Sequence, residues 1–264
     1  MRATMDDMEM EVDQHGDHGP ALLLVHGLGG SRKTWASIVP LLARGARVYV
    51  PDLRGCGEST RGTKPWTLAT AADDLATAMD VLGVGPCVVV GHSLGGVLTQ
   101  ELLSRRLPNV AGAVLISTSS RLNPKATENW RRIADVVEKR GLSDSPAAQA
   151  RGFAPDFANA HPEVLEEHAR ITAATSPLVY AEQARAASSY DYTTALATTA
   201  CPALVLQGLA DQLTPPGGSV LLHRALPPTA RLEMIEGAGH NLPFEMPEAV
   251  SHLILSFAQE VFPA

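Results

Sequence analysis

The stretch VVVGHSLGG, residues 88–96, decides the fold prediction. Three valines run directly into Gly91, a pattern typical of a strand that is buried on both faces. A helical pattern, LGGVLTQELLSRR, begins immediately after Ser93. A serine between a buried strand and a helix lies on a strained turn that lifts its hydroxyl clear of the sheet. The stretch therefore predicts a nucleophilic Ser93, in preference to a serine in an ordinary glycine-rich loop.

Similar apolar runs recur along the chain and are separated by helical patterns. In one such pattern Leu68, Leu75, Met79 and Leu82 share a helical face. Strands that alternate with helices indicate an α/β fold with a mostly parallel, doubly wound sheet. The further strand candidates are ALLLVHG (21–27), ARVYVPD (46–52), AGAVLIS (111–117), CPALVLQG (201–208) and ARLEMIEG (230–237).

Residues 120–189 interrupt this alternation because they contain helical patterns and several prolines but no convincing strand. Ordinary crossover helices with long loops are the alternative, but structureless loops of this length are uncommon in compact domains. We therefore predict that 120–189 form an inserted helical cap. Residues 1–119 and 190–264 then form the α/β core domain.

Serine needs a general base to act as a nucleophile, and His240 is the candidate among nine histidines. His240 follows the last predicted strand, so its loop opens at the same sheet edge as Ser93. Asp211 follows the preceding strand and can orient the imidazole. The loop after AGAVLI offers no acid in its place. The order Ser93, Asp211, His240 is the one expected for such a sheet.

An oxyanion formed at this site also needs hydrogen-bond donors. The N–H of Leu94 begins the helix after Ser93, and the loop HGLGG (26–30) can add the N–H of Leu28. Glycines around Leu28 allow the backbone to approach a reacting carbonyl. A phosphate-binding loop is the competing interpretation, but neither glycine-rich nucleotide motif is present.

Composition restricts the possible partners. The 264 residues carry a formal net charge of −7 with no basic run, which argues against nucleic-acid binding. Three scattered cysteines predict neither a disulfide framework nor a zinc site. Since no secretory signal or membrane span is visible, we expect a cytoplasmic protein without a membrane partner. We expect a monomer or a homodimer, and the chemistry requires no metal or organic cofactor.

With these motifs in hand, the sequence resembles the α/β-hydrolase superfamily. HGLGGS, DLRGCGES, GHSLGG, GLADQLTPP and GAGHNLPFEMPEAV match its motifs in order and span almost the whole chain outside the cap. The resemblance implies that Ser93, Asp211 and His240 are catalytic and that Leu28 and Leu94 form the oxyanion hole. Within the superfamily the pattern is most similar to small bacterial carboxylesterases and to the enol-lactonase-like group. DLRGCGES corresponds to a turn in which Asp52 and Arg54 have structural roles.

The resemblance implies hydrolysis of small to medium carboxylic esters or lactones through an acyl-enzyme on Ser93. A thioesterase or carbon–carbon bond hydrolase with the same triad is an alternative, as is a non-catalytic ligand-binding homologue. The cap is expected to select the substrate. Its candidate pocket residues, which could equally pack the cap onto the sheet, are Trp130, Phe153, Phe157 and Leu178.

Overall fold

The computed structural model describes residues 1–143 and 145–263. Asp144 and Ala264, which fall within the predicted cap and core ranges, lie outside the described residues. The described chain forms eight strands: β1 Arg2–Thr4, β2 Glu9–His15, β3 Ala21–Val25, β4 Arg47–Pro51, β5 Cys87–His92, β6 Val110–Ile116, β7 Ala203–Gly208 and β8 Arg231–Ile235.

The described part of the chain also forms twelve α-helices and two 3₁₀ turns. The 3₁₀ turns are Arg32–Trp35 and Ala150–Gly152. The helices are α1 Val39–Leu42, α2 Leu68–Val81, α3 Leu94–Ser104, α4 Pro124–Arg140, α5 Pro146–Gln149, α6 Pro155–Ala160, α7 Pro162–Ala173, α8 Pro177–Ala186, α9 Thr193–Leu196, α10 Pro216–Ala225, α11 Leu242–Glu245 and α12 Pro247–Val261.

All eight strands belong to one sheet with the order β1-β2-β4-β3-β5-β6-β7-β8. Strands β3 to β8 run parallel to one another. Strand β2 pairs in antiparallel fashion with β1 on one side and with β4 on the other. The mostly parallel sheet predicted from the sequence is therefore confirmed. Strands β1 and β2 lie before the first predicted run and form an antiparallel edge.

The sheet is covered on both faces, which explains the uninterrupted apolar strands. Every residue of β3, β5 and β7 is buried. Val89 packs with Leu75 and Leu98, whereas its neighbours Val88 and Val90 belong to a second core on the opposite face. Because alternate side chains of a strand point to opposite faces, both faces of β5 must be apolar.

The cap segment (residues 120–189) contains helices α4 to α8, among which α4 packs against α8. Arg121 and Asp191 form an isolated antiparallel bridge near the two points where the chain leaves and rejoins the sheet region. The division of the chain into a core and a cap stays a prediction. In residues 1–143 and 145–263 no helix combines the length and the apolar character needed to cross a bilayer.

A buried ion pair anchors the loop after β4. Arg54 is fully buried and holds Asp74 of α2 with two hydrogen bonds, from Nε at 2.6 Å and from Nη2 at 2.8 Å. We expect Arg54→Leu to lower the free energy of unfolding by about 3–5 kcal/mol, because Asp74 is left buried without its cation. Urea denaturation followed by circular dichroism measures this loss.

Two further variants isolate the buried pair. Adding Asp74→Leu to Arg54→Leu is expected to recover most of the lost stability, since the buried carboxylate is removed with its cation. Asp7, which also faces Arg54 at 3.5 Å, keeps Lys64 and the N–H groups of Thr63 and Lys64 as partners. Arg2→Leu breaks the ion pairs of the exposed Arg2 side chain with Glu9 and Glu11 and serves as the surface control, with an expected midpoint near that of the parent protein. A double variant as unstable as Arg54→Leu would contradict this account.

Candidate active site

Ser93 occupies a strained turn between β5 and α3. Its backbone lies at φ 53° and ψ −115°, a conformation that non-glycine residues rarely adopt. Glycines on both sides leave room for the turn. A Cβ atom at Gly95 would overlap the carbonyl oxygen of Val25, and one at Gly91 would overlap the carbonyl oxygen of Gly95. The close approach of β3, β5 and α3 therefore presents the Ser93 hydroxyl at the carboxyl edge of the sheet.

Asp211 and His240 come together at the same edge from two separate loops. Asp211 follows β7 and His240 follows β8, and the distance between Asp211 Oδ2 and His240 Nδ1 is 2.9 Å. Both residues are buried. Since a carboxylate accepts, His240 Nδ1 is the donor in this bond, and in the neutral imidazole the acceptor nitrogen is then Nε2. Nε2 has no hydrogen-bond partner among the described residues, so it is available to accept a proton.

The surroundings of Asp211 keep it ionised. Its Oδ1 accepts the backbone N–H groups of Leu213 and Thr214, each at 2.8 Å, and its Oδ2 also accepts Gln207 Nε2–H at 3.1 Å. Burial alone would raise the pKa of Asp211. The charge and hydrogen bond of His240, together with these N–H donors, outweigh burial and hold the pKa below its usual value.

His92, the residue before Ser93, contacts His240 through its ring. The His92 and His240 rings lie 4.9 Å apart between centroids, and His92 Nε2 donates to the carbonyl oxygen of His240 at 2.9 Å. Burial lowers the pKa of His92 to about 3, so this ring is neutral. No hydrogen bond joins Ser93 Oγ to His240 Nε2 within the described residues. In empty active sites such bonds often form only when substrate binds.

The loop after β3 holds an unbonded N–H beside Ser93. Residues 27–30 form a turn in which Gly30 N–H donates to Gly27 O at 3.1 Å. His26 Nδ1 also donates to Gly27 O at 2.8 Å, and His26 Nε2 accepts the Leu53 N–H. These bonds orient the peptide that carries the Leu28 N–H, which has no partner among the described residues.

The second N–H belongs to Leu94, the first residue of α3. N–H groups in the first turn of a helix have no intrahelical acceptor and lie at the positive end of the helix dipole. Leu28, Ser93 and Leu94 line the same cavity. This arrangement provides two backbone donors beside one hydroxyl.

Glu245 is a site residue that the sequence analysis did not identify. Its buried carboxylate accepts the N–H groups of Gly239 at 2.9 Å, Asn241 at 3.1 Å and Ala154 at 2.8 Å. Burial raises the pKa of Glu245 against the opposing effect of these donors. Glu245 thereby holds the residues on both sides of His240 and ties them to the cap segment. Its only sequence signal is a glutamate in the apolar HNLPFEM run.

The cavity at Ser93 has a volume of about 680 Å³. Trp130 lines it, together with side chains from α3, the cap segment and the loop before α10. Phe153 and Phe157 lie outside it, where they stack on each other with ring centroids 5.8 Å apart. Leu178 is exposed on α8. The larger aliphatic side chains that line the cavity with Trp130 are Leu28, Leu94, Val97, Leu122, Leu213 and Leu221.

Known proteins resemble this chain over nearly its whole length. A protein named as a carbamate hydrolase, RutD, from Caulobacter sp. (strain K31), is 32% identical over 96% of each chain. A thermophilic esterase from Thermogutta terrifontis has 31% identity and a TM-score of 0.90, over 99% of this chain and 98% of the esterase. The enol-lactonase from Burkholderia xenovorans LB400 has 25% identity and a TM-score of 0.90, over 97% of this chain and 99% of the lactonase.

The family model for the alpha/beta hydrolase fold matches residues 20–247, which contain β3 to β8, the cap segment and all three candidate side chains. With this match, and with the shared architecture of the esterase and the enol-lactonase, the chain belongs to the α/β-hydrolase family and is a hydrolase of that fold.

Proposed function

We propose that this enzyme hydrolyses carboxylic esters or lactones through an acyl-enzyme formed on Ser93. The observation that carries the proposal is the 2.9 Å hydrogen bond between His240 Nδ1 and Asp211 Oδ2, beside a serine held at positive φ. Nδ1 is the donor in this bond, so the neutral imidazole has its lone pair on Nε2, on the ring edge away from Asp211. A neutral imidazole in this tautomer is the general base that a serine nucleophile requires.

In the first half of the reaction, His240 Nε2 takes the proton of Ser93 as Oγ attacks the substrate carbonyl carbon. The N–H groups of Leu28 and Leu94 donate to the resulting oxyanion. When the tetrahedral intermediate collapses, the imidazolium gives its proton to the leaving alcohol oxygen and the carbon–oxygen bond breaks. An ester of Ser93 remains.

In the second half, His240 takes a proton from water as that water attacks the acyl carbon. The oxyanion forms against the same two N–H groups. Collapse breaks the bond to Ser93 Oγ, which recovers its proton from His240, and the carboxylic acid leaves. Asp211 stays ionised throughout and stabilises the imidazolium in each half.

The cavity supports a substrate of small to medium size. Its volume of about 680 Å³ lies within the usual range for small-molecule pockets. Leu94 and Val97 form part of the wall near Ser93, and Trp130 contributes from the cap segment. These apolar surfaces favour a hydrocarbon acyl or alcohol group. A lactone ring fits the same chemistry because its leaving alkoxide stays attached to the acyl chain.

A fluorophosphonate probe tests the nucleophile. We expect the probe to label the native protein on the peptide that contains Ser93, as identified by mass spectrometry. Ser104, on the same helix, donates to the Glu101 carbonyl oxygen and is expected to remain unlabelled. Failure to label Ser93 would favour a ligand-binding homologue without activity.

A substrate panel then tests the reaction class. We expect p-nitrophenyl esters from acetyl to octanoyl, or an aromatic lactone, to give the highest kcat/KM. An aryl carbamate, an acyl-CoA thioester and a β-diketone cover the other reactions that a serine triad can perform. A higher kcat/KM for any of these three would overturn the assignment to esters and lactones.

A further inference from the structure

The cap segment holds both polar groups of Gly29 in the loop after β3. Gly29 N–H donates to Gln183 Oε1 of α8 at 3.0 Å. Gly29 C=O accepts a hydrogen bond from Thr175 Oγ1, also at 3.0 Å, and Thr175 lies between α7 and α8. Thr175 is 3% exposed and Gln183 is fully buried, so water does not compete for these bonds. Gly29 is thus fixed by side chains about 150 residues further along the chain.

The conformation of Gly29 requires a glycine under this cover. Its φ is +67°, and a Cβ atom there would lie 2.7 Å from the ring of Tyr180. A positive φ at the third residue of the 27–30 turn is typical of a type II turn, which sets the direction of its central peptide. This central peptide carries the Leu28 C=O and the Gly29 N–H, and the peptide before it, Gly27–Leu28, carries the proposed oxyanion donor. The cap therefore restrains Leu28 from its C-terminal side.

The two contacts of the Gln183 amide, with Gly29 and with Cys56, agree on its orientation. Its Nε2 donates to Cys56 Sγ at 3.1 Å, and burial raises the pKa of the Cys56 thiol to about 12, so the sulfur stays protonated. Since Gly29 N–H can only donate, the oxygen of the amide must face Gly29. Gln183 therefore joins three segments, namely α8, the loop after β3 and the loop after β4.

We propose that Gln183 and Thr175 are positioning residues that hold the Leu28 N–H in place for the oxyanion. This inference rests on the proposed ester hydrolysis and adds to it a dependence of the oxyanion hole on the cap. The loop's own bonds, from His26 and Gly30 to Gly27 O, hold the Gly27–Leu28 peptide, which carries this N–H, on the N-terminal side of Leu28. The two cap side chains fix the other side. Neither touches the substrate.

The test replaces each side chain by one of similar size that lacks the required atom. We expect Thr175→Val and Gln183→Met each to lower kcat for the best p-nitrophenyl ester about 10- to 100-fold, with KM changed less than about threefold. A trifluoromethyl ketone that mimics the acyl group forms an oxyanion when it binds. Its inhibition constant is expected to rise by the same factor as kcat falls.

Conservative variants separate positioning from general damage to the cap. Thr175→Ser keeps the hydroxyl that donates to Gly29 C=O and is expected to recover most of kcat. Arg185→Met removes ion pairs to Asp135 and Glu138 that join α8 to α4 without contacting Gly29. This variant is expected to keep the kcat of the parent enzyme.

The outcomes distinguish this inference from the proposed function. If the parent enzyme neither hydrolyses an ester nor reacts with a fluorophosphonate, the proposed function fails. If the parent enzyme is active and Thr175→Val and Gln183→Met match its kcat, only the positioning role is overturned. An equal loss of kcat in Arg185→Met would also overturn it, because cap packing alone would then explain the effect.

Discussion

Ser93→Ala is expected to lower kcat for the preferred ester by about 10⁵- to 10⁶-fold, the loss typical of a removed serine nucleophile. Alanine leaves no oxygen at the turn between β5 and α3, so the acyl-enzyme does not form. The two backbone N–H groups remain and support only a weak residual attack by water. Steady-state kinetics with a p-nitrophenyl ester measures the loss. The enzyme concentration must be high enough to detect the remaining activity.

The stability of variants at position 93 provides a second test. Ser93 and alanine both carry a Cβ at φ 53°, whereas glycine adopts this conformation without strain. We expect Ser93→Gly to be as inactive as Ser93→Ala but more stable than it by about 1 kcal/mol. Ser104→Ala, at the C-terminal end of α3, is the matched control and is expected to retain full activity. Substantial turnover by Ser93→Ala would contradict the nucleophile assignment.

Local patterns are sufficient to predict the sheet and the candidate residues. Strands such as β5 are buried on both faces, so their apolar runs are continuous and visible in the sequence. Ser93 and Asp211 follow such strands, and His240 follows the half-buried β8. The carboxyl ends of these parallel strands share one edge of the sheet. Strand β2 is harder to detect because only Met10 and Val12 of its seven residues are buried.

The supporting contacts are not visible in the sequence because they join residues far apart along the chain. Glu245 accepts the N–H of Ala154, which lies 91 positions away in the sequence, and Gln183 accepts the N–H of Gly29, which lies 154 positions away. Neither residue belongs to a motif with a fixed spacing. Cap pocket residues are unpredictable for a related reason, since an aromatic side chain on a cap helix can face the cavity or another helix. Trp130 faces the cavity, whereas Phe153 packs against Phe157 and Phe244.

The four donors around Asp211 make Asp211→Asn more disruptive than the loss of one charge. Leu213 and Thr214 N–H donate to Oδ1, and His240 and Gln207 donate to Oδ2. An asparagine offers one oxygen and one NH₂ group. If its oxygen faces the two backbone donors, its NH₂ group faces His240 Nδ1, which must then become an acceptor. The imidazole proton moves to Nε2, where it blocks acceptance of the Ser93 proton.

We therefore expect Asp211→Asn to lower kcat/KM by about 10⁴-fold. Asp73→Asn, which alters a surface pair with Arg105, is the control and is expected to have no effect. Nitrogen-15 NMR of histidine-labelled protein checks the cause, because the His240 Nε2 resonance should change from the unprotonated to the protonated position. His92 Nε2 donates to a carbonyl in both proteins and serves as the internal reference. An unprotonated His240 Nε2 in the variant would contradict the tautomer argument even if activity were lost.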